Sequence, residues 1–231
     1  DFQVLYDLRV DGNVNTPYGG VGRYENLLER SETLDDAAWT KTGGVTASAN
    51  AVAGPDGTTS AETLTDDVTA GGTVTQTEAV TLSADTAYTF SVWLKAGTGT
   101  TAKLKLEGNA TGEVATETAA LTLTSSWQRF SVTDTITNNT AGGETITATI
   151  NHTGGASTTL HAWGAQLEQA SSPGVYVRTT TAAVTASRGA VSNGTPVGTG
   201  AVQTYQAVGS TVGPTTASAT FADLPEMSVT F

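Results

Sequence analysis

The sequence predicts an all-β protein: two antiparallel sheets packed face to face as a β-sandwich of jelly-roll form, with an extended arm at each end. Three observations carry this. About a fifth of the 231 residues are Thr, whose branched Cβ suits a pleated strand. The 26 glycines supply turns for many short strands. Through the middle of the chain, apolar residues alternate with polar ones, the two-residue period of strands with one oily and one wet face.

The elements follow in order. Residues 1–25 form an N-terminal arm, opening on the alternating "DFQVLYDLRV" and running into a Gly/Pro/Asn loop. Residues 26–178 carry the dense strand signals of the sandwich. Within them "SETLDDAAW" (31–39) is expected to make one short helical turn, with Ser31 as N-cap and acids in the first turn. Trp39 then closes the sandwich end. In "YTFSVWLKA", Tyr88, Phe90, Val92 and Leu94 share one face, and Thr89, Ser91, Trp93 and Lys95 the other. Leu104 and Leu106 point inward, while Lys103, Lys105 and Glu107 point outward. In "WQRFSVT", Phe130 and Val132 oppose Trp127, Arg129 and Ser131, with Trp127 anchoring the sheet edge; Ile146, Ala148 and Ile150 point inward. In "LHAWGAQLE" (160–168), strict alternation puts Trp163, Ala165 and Leu167 together, making the indole a core plug, and sends Ala162, Gly164, Gln166 and Glu168 to the opposite face. Residues 179–231 are Thr/Ala/Gly/Val-rich and almost uncharged. Such a β-prone segment gains by pairing with a neighbour, so both arms are expected to serve assembly.

The charge balance excludes several roles. A net charge of −12 repels phosphate backbones and anionic lipid, against nucleic-acid and membrane-surface partners. With no Cys, disulfides, thiolate nucleophiles and Cys-bound zinc are absent. No run of 18 apolar residues predicts a transmembrane helix. The start shows no signal peptide and no initiator Met, as expected of a processed chain or a fragment.

A series of segments resembles a known family. "NLLERSETLDDAAWTKTGGVTASANAVAGPDGTTSAETLTDD" is similar to the opening of carbohydrate-binding-module-like jelly rolls of phage virion surface proteins. It matches at Asn26-Leu27-Leu28, Ser31-Glu32, Ala38-Trp39-Thr40-Lys41 and Pro55-Asp56-Gly57-Thr58-Thr59. "YTFSVWLKAGTG", "LTSSWQRFSVT" and "HAWGAQLEQASSPGVYVRTTTAAVTASRG" continue it in order, so it spans about residues 26–190. The resemblance implies a tail-fibre, tailspike or decoration protein on the virion surface, a homo-oligomer (a trimer) in contact with other virion proteins and with host glycans. It fixes no ligand residues. It also implies a structural calcium near the start of the domain, for which Glu25, Glu32 and Asp56 are the candidate donors, with Glu168 beside them.

The residues themselves single out one further site. A sugar stacks its C–H face on an aromatic ring while amides, carboxylates and guanidinium groups bind its hydroxyls. Trp93 lies on a polar face, with Arg129, Gln166 and Glu168 as a rim; alternatively, Trp93 packs under a neighbouring loop or another subunit. Catalysis is not expected. The two histidines, 152 in a loop-like stretch and 161 on a strand, accompany no nucleophile elbow or zinc-binding helix. The paired acids Asp35-Asp36 and Asp66-Asp67 point oppositely on a strand, and nothing in the spacing pairs Glu168 with Glu107, Glu113 or Glu117.

Overall fold

A computed structural model describes residues 23–67, 71–139, 142–153, 155–188, 190–192 and 195–197. The chain divides into two compact units, Asn26–Val184 and a second made of Asp1–Glu25 with Thr185–Phe231. The described strands are β1 (Arg23–Asn26), β2 (Thr40–Thr42), β3 (Thr46–Val52), β4 (Ala61–Asp66), β5 (Thr73–Val80), β6 (Thr86–Ala96), β7 (Thr101–Gly108), β8 (Thr116–Glu117), β9 (Leu121–Thr122), β10 (Gln128–Ile136), β11 (Glu144–His152), β12 (Thr158–Glu168), β13 (Val184–Arg188), β14 (Ala190–Ser192) and β15 (Thr195–Val197).

The larger unit is the jelly-roll sandwich. One sheet runs β10-β6-β12-β4-β3 and the other β2-β5-β11-β7-β8, with β9 also on β7. The described strand pairs of both sheets are antiparallel. The core between the sheets follows the alternation: Phe90, Val92, Leu94, Leu104, Leu106, Ile146, Ala148 and Ile150 are fully buried, with Tyr88 and Val132 beside them. Trp39 plugs one end and donates its indole N–H to Arg30 O at 3.1 Å. The edge strand β3 breaks register between Ser48 and Val52, with Asn50 at φ 47°, a bulge that makes the edge a poor template for further pairing.

Two expectations are corrected. Residues 31–39 form no helix but a run of turns, closed by Thr33 N–H to Arg30 O, Asp36 N–H to Thr33 O and Trp39 N–H to Asp36 O. Ser31 is no N-cap. Its hydroxyl serves Thr179 and Tyr176 instead, and these tertiary partners outweigh the weak local helical preference of so short a segment. His152, expected in a loop, ends β11 and is buried, its Nδ1 3.8 Å from an oxygen of Asp66.

In the other unit, β1 and β13 share a two-stranded sheet, and β14 and β15 pair antiparallel. The arms assigned to 1–25 and 179–231 otherwise fall largely outside the described residues, including "DFQVLYDLRV" and the closing "SATFADLPEMSVTF". Residues 179–183 belong with the sandwich unit: Thr179 is buried against Ser31, and Thr180 O accepts the Arg30 N–H at 2.7 Å.

Candidate functional site

The outer face of the five-stranded sheet carries an aromatic and polar cluster, placed there by a bulge. Along β12, His161, Ala162 and Trp163 face Lys95, Leu94 and Trp93 in turn, but the next pair is Gln166 with Ser91. One extra residue sits in β12, at Gly164, whose φ is +65°. A one-residue slip exchanges the two faces of a strand. Leu160 and Ala162 before the bulge, and Ala165 and Leu167 after it, therefore all enter the core, whereas Trp163 joins Gln166 and Glu168 on the outer face. The core-plug reading of Trp163 is overturned, as is the outward placing of Ala162. Uninterrupted alternation cannot describe a strand that changes phase halfway.

The cluster is tightly built. Trp93 meets Trp163 edge-on with ring centroids 5.3 Å apart, and Tyr176 packs on both at 5.3 and 4.7 Å. The Arg129 guanidinium lies over the Trp93 ring at 4.5 Å, a cation–π contact in a desolvated setting. Burial lowers the guanidinium's pKa from its ordinary value, against the attraction of Glu168. Burial also holds the Tyr176 phenol well above its ordinary range, so it stays neutral.

Trp93 and the three residues expected to form a sugar rim around it are thus brought together, but they engage the chain itself. A strap, residues 169–180, crosses the face. Gln166 grips it with both ends of its amide: Nε2 donates to Val175 O at 3.1 Å and Oε1 accepts the Val177 N–H at 2.7 Å. Glu168 Oε1 accepts the Gly174 N–H at 2.8 Å and the Gln166 amide at 2.7 Å. Arg129 donates to Gly174 O and, at 2.9 Å, to Ser91 Oγ. Trp93 lies beneath Tyr176 and Arg129, as the loop-packing alternative expects. From the other side, the turn 53–60 leans over the same face: Trp127 Nε1 donates to Ala53 O at 3.0 Å and Trp163 Nε1 to Ser60 Oγ at 2.9 Å.

The acids expected to hold calcium have the following surroundings. Glu32 accepts a hydrogen bond from Tyr176 at 3.1 Å and pairs with Arg178 at 2.9 Å. Asp56 caps its own turn, accepting the Thr58 N–H at 3.0 Å and the Thr58 hydroxyl at 2.7 Å, bonds that lower its pKa. Glu25 is buried on β1 in the second unit. Among the described residues no three His, Asp or Glu side chains converge to hold a metal ion. The histidines are engaged separately, 161 through Nδ1 to Thr63 Oγ1 at 2.9 Å and 152 beside Asp66.

Two residues that sequence reasoning missed hold the site: Tyr176, which fills the aromatic pocket, and Asn26, noticed only as part of a motif. The lone Gly164 inside the strand pattern of residues 160–168 was the available signal for the bulge. A Cβ at Gly164 would come 3.0 Å from Trp93 Cε3 and 3.3 Å from Tyr176, at a φ disfavoured for L-residues. Gly164→Ala is accordingly expected to cost about 1–3 kcal/mol and to weaken the near-UV circular dichroism of the Trp cluster.

No protein-family model matches the chain, and no curated protein matches it in sequence. Among solved structures it is similar to the enzymatically active domain of bacteriophage CBA120 tailspike protein 4 (13% identity, TM-score 0.46, 63% of this chain, 21% of that one). It is also similar to TmCBM61 in complex with β-1,4-galactotriose (17%, 0.46, 64% and 100%). A third similar structure is the CBM22-1–CBM22-2 tandem of Paenibacillus barcinonensis Xyn10C (15%, 0.47, 67% and 47%). The chain spans about a fifth of the tailspike structure.

Proposed function

We propose that this chain is a non-catalytic structural subunit of a phage virion surface, a capsid decoration or fibre protein, which presents its jelly roll outward and assembles through its terminal arms as a homotrimer with other virion proteins. The observation that carries the non-catalytic, structural part is the engagement of the outer sheet face. Arg129, Gln166 and Glu168, the groups best suited to handle a substrate, bind the backbone of residues 174–177. The virion setting rests on the ordered motif series over residues 26–190. Light scattering on the eluting full chain tests assembly: a trimer is expected, and a monomer at micromolar concentration would refute it. Immunogold labelling of assembled particles tests the location.

The alternative, a host-glycan adhesion module of a tail fibre or tailspike, is favoured by the aromatic cluster of Trp93 and Trp163 with its amide and carboxylate neighbours. Binding on a glycan array that is lost in Trp93→Ala would support it; binding indifferent to that change would remove this site.

A further inference from the structure

We infer that the outer face of the five-stranded sheet is a receptor for an extended peptide of pattern Gly-x-Tyr-x-Arg-Thr, filled in cis by residues 174–179 and open to exchange with the same segment of a second copy of this chain. This does not depend on where the protein is deployed.

The contacts are those of peptide recognition, because they read a backbone. Besides the two bonds from the Gln166 amide, Asn26 Nδ2 donates to Val177 O at 2.8 Å, and the Ser31 hydroxyl accepts the Thr179 N–H at 2.8 Å. Four strap positions are then selected. Gly174 is favoured because a Cβ there would stand 2.7 Å from Glu168 Oε2 and displace the carboxylate that holds the Gly174 N–H. Tyr176 fills the Trp93–Trp163 pocket and reaches Ser31 Oγ at 2.8 Å and Glu32 at 3.1 Å through its hydroxyl. Arg178 pairs with Glu32, and Thr179 Oγ1 accepts the Ser31 N–H at 3.2 Å. Of the two x positions, the Val175 side chain is 53% exposed and not read, and that of Val177 is half-buried. The pattern occurs once in the 231 residues, so a competing segment from this protein has to come from a second copy. The connection at Ser171-Ser172-Pro173 is exposed, and no strap residue belongs to the apolar core between the sheets, so release of the strap would break its polar contacts with Asn26, Ser31 and Gln166 rather than open that core.

A tethered strap competes at an effective concentration of about millimolar, so a free peptide of residues 170–183 should bind the intact chain weakly. The Tyr176→Ala chain, its fold verified by near-UV circular dichroism, should bind that peptide at least about tenfold more tightly by calorimetry. Peptides altered at Gly174 (to Ala) or Tyr176 (to Ala) should lose about tenfold or more. Should Tyr176→Ala not fold, Gly174→Ala in the chain serves the same purpose. A folded variant that binds no peptide, or binds the altered peptides equally well, overturns the receptor. For the partner, Arg178→Lys chains in ¹⁴N and ¹⁵N forms are mixed at high concentration and treated with a carbodiimide. Mixed-isotope cross-links to Glu32 are expected, and same-isotope links alone would overturn exchange between copies.

Discussion

Asn26→Ala is expected to lower the stability of the folded chain by about 3–5 kcal/mol, among the largest effects of a single polar substitution here. Asn26 is fully buried where the chain enters the sandwich. Its Nδ2 donates to Ala165 O at 2.9 Å and to Val177 O at 2.8 Å, and its Oδ1 accepts the N–H groups of Leu28 and Leu167, both at 3.1 Å. One side chain thus joins the incoming strand, the bulged segment of β12 and the strap. Removing it strands backbone groups of three segments in a dry interior, and each unsatisfied group costs about 1–3 kcal/mol, with partial relaxation making the sum smaller than its parts. Asn26→Asp discriminates shape from hydrogen bonding, since the carboxylate is nearly isosteric but has no N–H to give to Ala165 and Val177. It should be no more stable than the Ala variant at pH 7. Urea denaturation followed by Trp fluorescence measures both. A loss below about 1 kcal/mol for Asn26→Ala would show that the strap and β12 hold together without this link.

The contrast between Asn26 and Phe90 shows what the sequence can reveal. Phe90, Leu104 and Ile146 announce themselves, because burial on one face of a regular strand leaves a two-residue signature in the chain. The importance of Asn26 lies in carbonyls 139 and 151 residues away, and no local pattern encodes partners at that distance. The bulge at Gly164 is an intermediate case. Strict alternation from 163 to 168 assigns Trp163 to the core with Leu167, and only the extra residue between the Trp93 and Ser91 pairings undoes it. Its effect reaches the candidate site: Trp93, Arg129, Gln166 and Glu168 were legible as a group because each obeys its own strand's phase, and Trp163 was lost because its strand changes phase. Tyr176 was illegible for a third reason. It lies on an irregular strap, where no period assigns a face, and its role depends on the pocket it fills. The turn at 31–39 read as helix because Ser31 and the acids fit a cap, yet those side chains have tertiary partners that local propensity does not know about.

Glu62→Gln is expected to remove much of the pH dependence of stability between about pH 4.5 and 8, and to stabilise the chain at pH 9 by roughly 2–4 kcal/mol. Glu62 shares a face of β4 with Leu64, so its carboxyl points inward and is fully buried. Oε2 accepts the Asp35 N–H at 2.7 Å, while Oε1 has no hydrogen-bond partner. Burial, with the neighbouring Asp35 carboxylate, raises its pKa from 4.5 to about 8, against the weaker pull of Lys41. That ammonium is itself occupied by Asp35 O and Asp36 O at 2.8 and 2.7 Å. The sign follows from proton counting. The folded chain holds a proton that the unfolded chain releases, so this contribution is complete below about pH 4.5 and is lost as pH rises towards 8. Glu78, raised to about 7 by burial and the charge of Glu29, acts in the same direction. The net charge of −12 also opposes folding at high pH, so the wild-type slope alone cannot single out Glu62. The amide separates them. Gln keeps an acceptor for the Asp35 N–H, carries no charge at any pH, and resembles the protonated acid, so stability at pH 5 should change little. Asp67→Asn removes the same formal charge from an exposed position and serves as the control. Urea midpoints at pH 5, 7 and 9 should diverge between Glu62→Gln and wild type as pH rises, with the control parallel to wild type. Parallel curves for all three chains would mean that Glu62 ionises inside the sandwich without penalty, contrary to its burial beneath the 33–39 turns.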